Sequence, residues 1–312
     1  MTERLDVTAD HVVLALEERK VPVFRFDTAE FPQHLTMSAR LDQNESGILR
    51  TPTRKVGFDE VGAVYWRRPS IYQLSPALNT DDAAWAIREA RFGMGGVLAA
   101  MPTWLNHPAC IARAEYKPVQ FAAARAAGLT LPPTLVTNDA DAVRQLANEV
   151  GPIVYKPLSG VHYKHNAGRD FIYTQRVDIE ILDTESIDIT ACLFQQWVEK
   201  DYEVRLVSVD GRCFSTRIDS SSERGRRDWR ADYDSLTYTP IPTPDHVRTA
   251  AVKLTSTLDL RFGALDFIVT PTGEWVFLEI NPNGQWAWIN GVTPMIANAI
   301  ADALEGLTAA PW

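Results

Sequence analysis

Two apolar runs near the end of the chain, ALDFIV (264–269) and EWVFLEIN (274–281), separated by Pro271-Thr272-Gly273, constrain its fold most. Each has strand length and composition, and the turn residues between them read as a β-hairpin. A turn centred on Thr272 and Gly273 sets Asp266 directly across from Glu279, and strand alternation puts Glu279 and Asn281 on that same face. Facing carboxylates repel, and burial makes their desolvation expensive. A divalent cation removes both costs. The donor set Asp266, Glu279 and Asn281 is all oxygen, which suits magnesium rather than zinc. Magnesium held by few protein groups completes its shell with water and nucleotide phosphates, so the hairpin predicts a Mg2+–nucleotide site. The competing reading is an ordinary hairpin with solvent-facing acids, and a three-residue turn would shift the pairing by one and take Asp266 away from Glu279.

A nucleotide also needs cations. Lys156 sits inside the apolar strand PIVYKPL (152–158), and Ser159 and Gly160 open a loop whose amides can cover phosphates. Lys117 lies at the start of a helical pattern, YKPVQFAAARAAG (116–128), where an anion is favoured. Each lysine alone reads as a solvated side chain; together with the hairpin they read as a phosphate cradle.

The rest of the chain alternates. A helix is expected at 11–20, strands at 21–27 and 63–68, and a helix at 81–101 capped by Asp81, giving a small α/β domain over the first hundred residues. That domain opens on a helix, which points to a first strand missing ahead of it or a misassigned start. Strands follow at 134–137 and 189–199, with a helix between them capped by Asp139 and stopped by Gly151. EVRLVSVDGRCFSTRI forms a hairpin about Asp210-Gly211 that places Arg217 opposite Val204, on the other sheet face from Arg205. Residues 159–170 and 219–235 read as polar loops, and a terminal helix runs from Thr293 to near Gly306.

At 312 residues the chain has room for two or three domains, and its formal net charge of −9 argues against a general nucleic-acid binder. Its cysteines, Cys110, Cys192 and Cys213, lack metal-ligand spacing and read as reduced, packed thiols. There is no apolar signal region and no membrane-length run, so a cytoplasmic protein without a membrane partner is expected.

Lys117, VYKPLSG, FQQWVEKDYEVR, LDF and LEINPNG, in that order, resemble the ATP-grasp fold, here an α/β (α+β) architecture with a small N-terminal α/β pre-ATP-grasp domain. The resemblance implies domains at 1–105 and 106–312, with a lid subdomain at roughly 130–198. It makes Gln195-Gln196-Trp197-Val198 the adenine hinge and Glu203 the ribose ligand. VYWRRP (64–69), WLNHP (104–108), residues 114–139 and DWR (228–230) are further similar to the ATP-grasp ribosomal peptide maturases, the graspetide or microviridin-type ligases, and residues 7–32 to their actinobacterial branch.

That family implies ATP and Mg2+ as cofactors and a ribosomal precursor peptide as partner, with a leader and a core rich in Thr, Asp and Glu. It implies activation of Asp or Glu side chains as acyl phosphates, then ester or amide closure by Thr, Ser or Lys, and suggests a homodimer. Arg205 and Arg230 are the guanidinium candidates for the γ-phosphate and acyl phosphate. His162 and His165 read as exposed loop residues, and Arg67 and Arg68 as a strand-end pair with a structural or peptide-contact role. The same Mg2+–ATP residues would serve a ligase acting on a free amino acid or small acid, which stays open as the alternative. A non-catalytic nucleotide-binding module is disfavoured by the complete set of candidate ligands.

Overall fold

The computed structural model describes the whole chain except residues 44–45, 160–161, 166–167, 172–173, 183, 224, 226–228, 230–231, 290 and 309–312; for 162–165 and 168–171 it describes the backbone alone. In chain order the strands are β1 (Thr36–Arg40), β2 (Ser46–Arg50), β3 (Lys55–Gly57), β4 (Val64–Tyr65), β5 (Trp104–Leu105), β6 (Thr134–Thr137), β7 (Ile153–Lys156), β8 (His162–His165), β9 (Gly168–Phe171), β10 (Gln175–Arg176), β11 (Cys192–Gln196), β12 (Tyr202–Val209), β13 (Arg212–Ser220), β14 (Leu236–Ile241), β15 (Phe262–Val269) and β16 (Trp275–Asn281).

The central sheet has five antiparallel strands in the order β14-β13-β12-β15-β16. Its faces follow from alternation. Val204, Leu206, Leu265, Phe267 and Val269 point to one side and bury against the helices Lys117–Ala127 and Asp245–Thr257. Val207, Val209, Phe262 and Ala264 point to the other and share a core with the helices Val7–Glu18 and Thr293–Thr308. Arg19 pins those two helices together through Asp302 and Glu305, each at 2.6 Å. Beyond Val207 and Ala264 this second face carries Arg205, Glu203 and Asp266 instead of apolar residues, and here the core gives way to a cleft.

A four-stranded sheet, β10-β7-β11-β6, packs on the helix Ala140–Val150, which Asp139 caps and Gly151 ends. The helix Lys117–Ala127 carries Pro118 in its first turn and stops at Gly128, whose φ of 91° is left-handed, as the pattern predicts.

The N-terminal segment departs from expectation. Residues 21–27 form no ladder, although Arg54 donates to the carbonyls of Val23 and Arg25. A three-stranded antiparallel sheet, β1-β2-β3, occupies a region without a strand expectation, and β4 pairs in parallel with β5. The helix Thr80–Ala99 is capped by Asn79, which accepts from the Asp82 amide, so Asp81 lies inside the first turn. The expected loop after β7 contains the hairpin β8–β9. Among the described residues no helix is long and apolar enough to cross a membrane.

Candidate active site

Asp266 does face Glu279, but by a route the simple hairpin rule misses. The turn is a three-residue one: Thr270 donates to the Glu274 carbonyl, Gly273 donates to that of Thr270, and Gly273 is left-handed at φ 85°. Near the turn Val269 faces Trp275 and Phe267 faces Phe277, a register that would carry Glu279 past Asp266. An irregularity between Asp266 and Phe267 leaves Leu278 unmatched and restores Asp266 opposite Glu279. This bulge also switches faces. Trp275 and Phe277 lie in the apolar core, whereas Glu279 and Asn281, which share their parity, emerge on the cleft side while Ile280 enters the core.

On that side the acids meet cations. Arg205, paired with Asp266 across β12 and β15, brings Nε to 2.8 Å from Oδ1 and Nη2 to 3.4 Å from Oδ2. Both side chains are buried. Lys117 Nζ bonds Glu279 Oε2. Asn281 joins the two acids, its Nδ2 lying 3.3 Å from Asp266 Oδ2 and 3.3 Å from Glu279 Oε1. Two carboxylates and one amide side chain offer an all-oxygen donor set of the kind magnesium takes, with two cations beside it suited to phosphate oxygens. Among the described residues no cluster of three His, Cys, Asp or Glu gathers elsewhere, and this set reaches three donors only through Asn281.

The other predicted residues that are described lie on β7, β11 and β12 and on the segments that follow β7 and β11. Lys156 Nζ donates to Gln195 Oε1 at 2.7 Å, and Gln195 Nε2 to Thr134 Oγ1 at 2.8 Å. Gln196 donates through Nε2 to the Val150 carbonyl, 3.0 Å. The Trp197 amide is taken by the Pro152 carbonyl, 2.8 Å, while the Val198 amide is unengaged among the described residues. Glu203, buried, pairs with Lys200. A cavity of about 450 Å³ runs past Trp197, Lys200, Glu203, Arg217 and Trp229. Ser159 is exposed at the start of its loop; Gly160 and Arg230 lie outside the described residues. Arg217 opposes Val204 as expected and is held by Asp219 in a two-pronged pair, 2.7 Å on each arm.

Comparison with known proteins bears on this geometry. Residues 4–112 match the MvdD pre-ATP-grasp domain. Along almost its whole length the chain is similar to a RiPP-associated ATP-grasp ligase of Chryseobacterium gregarium, solved with ADP and a leader and core peptide (25% identity, TM-score 0.92, covering 99% of this chain and 96% of that one). It is also similar to the macrocyclase MdnB of Microcystis aeruginosa MRC (30% identity, TM-score 0.79, 97% of each chain). The chain belongs to the RiPP ATP-grasp ligases. A further relative is the ATP-grasp ligase PsnB, solved with a phosphomimetic variant of a minimal precursor, Mg and ADP (25% identity, TM-score 0.75, 98% of this chain and 97% of that one). No curated protein matches. The protein is accordingly an ATP-dependent ligase with the ATP-grasp fold.

Sequence reasoning missed the residues that hold these candidate side chains in place. Gln120, one turn along the helix from Lys117, donates to the Ile280 carbonyl at 2.9 Å and accepts from its amide at 3.0 Å, gripping the strand between Glu279 and Asn281. Asn106, in WLNHP, donates to the carbonyls of Phe262 and Pro282 at 2.8 and 3.1 Å. Arg205 lies over the rings of Trp229 and Trp288, 5.4 and 5.9 Å from their centroids. Arg67, one of the strand-end pair, is 1% exposed. Arg68 beside it is solvent-exposed, and local desolvation together with the Arg67 and Arg205 charges lowers its guanidinium pKa. The signal in each case was a polar residue inside a flagged motif; its bonding partner lay too far along the chain to be read.

Proposed function

We propose that this ligase uses Mg2+–ATP to activate Asp or Glu side chains of a ribosomal precursor peptide and closes rings with Thr or Ser hydroxyls, or Lys amines, of the same peptide. The observation that carries the reading is the meeting of Asp266, Glu279 and Asn281 with Lys117 and Arg205 on one sheet face. Relatives solved with ADP and peptide support it.

In this reading Asp266, Glu279 and Asn281 hold magnesium, which when bound neutralises phosphate charge. Lys117 and Lys156 serve the phosphates, Ser159 and Gly160 cover them, Gln195 to Val198 form the edge for adenine, and Glu203 takes the ribose. Arg205 and Arg230 steady the transferred phosphoryl group; the aromatic rings over Arg205 fix the guanidinium plane, and such fixed donors stabilise developing charge without reorganising.

A peptide carboxylate oxygen attacks the γ-phosphorus, the bond to the β-bridging oxygen breaks, and ADP departs. The hydroxyl or amine of a second side chain then attacks the acyl carbon, and the acyl–oxygen bond breaks to release phosphate, which carries away the proton. Each ring thus costs one ATP and removes one water from the peptide. The reading keeps an N-terminal domain at 1–105, an ATP-grasp domain at 106–312 with its lid near 130–198, a cytoplasmic setting and a homodimer.

The test is to mix the purified protein, ATP and Mg2+ with a candidate precursor and weigh the product. A loss of one water mass per crosslink, dependent on both ATP and Mg2+, is expected. An unchanged peptide, with ATP consumed only when a free amino acid is added, would refute it.

A further inference from the structure

We propose that Arg67, together with Gln285 and Thr8, positions the metal-binding strand from the N-terminal segment, so that residues outside the ATP-grasp region set the geometry of Asn281 and Arg205. The inference rests on the assignment of Asp266, Glu279 and Asn281 to magnesium.

Arg67 Nη1 donates to the Asn283 carbonyl and Nη2 to Gln285 Oε1, each at 2.5 Å. Gln285 Oε1 also accepts from Thr8 Oγ1 at 2.6 Å. Asp6 Oδ2 stands 3.9 Å from Arg67 Nε and accepts from Thr2 Oγ1, while its other oxygen caps the helix Val7–Glu18 through the amides of Thr8 and Ala9. One loop, residues 282–285, is therefore held at two points by a guanidinium with almost no solvent exposure.

The loop transmits that grip to the site in two ways. The Gly284 amide donates to the Asn281 carbonyl at 3.1 Å, closing the turn directly behind the Asn281 side chain. Gly284 itself sits so close to the sheet that an added Cβ would stand 2.3 Å from Ala264 Cβ and 3.1 Å from Arg205 Nη1. A loop released at Asn283 and Gln285 has Arg205 and Asn281 as its immediate neighbours.

Stability alone does not account for the arrangement, because apolar residues of similar volume often replace buried charged pairs without loss. Polar groups behind metal ligands, by contrast, typically change metal affinity about 10–100-fold when removed.

The experiment titrates Mn2+, as the spectroscopic stand-in for magnesium, into the full chain with ADP. Free ion is read by electron paramagnetic resonance, beside a thermal melt. Gln285→Leu, which removes the shared acceptor, is expected to weaken Mn2+ about tenfold. Gln285→Glu, which keeps an acceptor for Arg67, should bind within about twofold of wild type, a rescue that bulk destabilisation does not produce. Arg67→Met should resemble Gln285→Leu; if it does not fold, the Gln285 pair decides the matter.

Wild-type Mn2+ affinity in Gln285→Leu, with only the melting temperature lowered, overturns the inference. A Glu279→Gln control separates the two readings. If it too leaves Mn2+ binding unchanged, the metal assignment falls as well; if it abolishes binding while Gln285→Leu does not, only the positioning role falls.

Discussion

Asp266→Asn and Glu279→Gln both remove a carboxylate from the proposed metal set, yet they should differ sharply in stability. The Asp266 and Arg205 side chains are 4% and 5% exposed, in contact at 2.8 and 3.4 Å. Taking the charge from one partner of such a pair costs about 3–5 kcal/mol, because the other charge remains buried. The Trp229 and Trp288 rings stay beside Arg205 in the variant, which favours the lower end, about 3 kcal/mol. At roughly 2 °C per kcal/mol for a chain of this size, the melting temperature should fall by about 6 °C. Glu279 and Lys117 are 21% and 15% exposed, and their pair should contribute no more than about 1 kcal/mol. Both variants should lose ATP turnover. Adding Arg205→Met to Asp266→Asn removes the stranded charge and should recover at least half the lost stability with no return of activity. Thermal melts and urea titrations read the first quantity and coupled ADP release the second. The reasoning fails if the two single variants melt together, or if the double variant is no more stable than Asp266→Asn.

Gly284→Ala should lower stability by about 1–3 kcal/mol and depress turnover, since its Cβ meets Ala264 and Arg205; unchanged kinetics and melting would mean the loop moves away freely. Burial pushes the Tyr65 phenol from 10.0 to about 12, against the pull of Arg67. The folded pKa is raised, so this stabilising contribution is whole below about pH 10 and is lost as pH climbs toward 12. Tyr65→Phe should therefore lose less stability than wild type between about pH 9 and pH 11 in urea titrations, and equal losses would contradict it.

Much of the central sheet could be read from residues alone because its strands are long, apolar and joined by turns with definite chemistry. Asp210-Gly211 set the β12–β13 register, including the placement of Arg217 away from Arg205. The last hairpin was subtler. Its apolar positions change parity, from Trp275 and Phe277 to Ile280, and that slip is the written trace of the bulge. The N-terminal sheet left a weaker trace: β1 alternates only between exposed and half-buried positions, so no apolar stripe announces it. The grips of Gln120, Asn106 and Arg67 were illegible for another reason. Their partners are mostly main-chain groups more than 150 residues away, and a carbonyl has no letter in the sequence.

Leu278 has an outsized consequence. It works as a spacer that lets the tip of the last hairpin and its reactive end keep separate phase. Pairing that leucine with Asp266 would rotate Glu279 and Asn281 toward the side occupied by Trp275 and Phe277, whereas excising it would seat Glu279 directly after Phe277 and keep it across from Asp266. Families built on this ribbon are thus free to recut the tip by a residue only when a matching slip is made or erased further along.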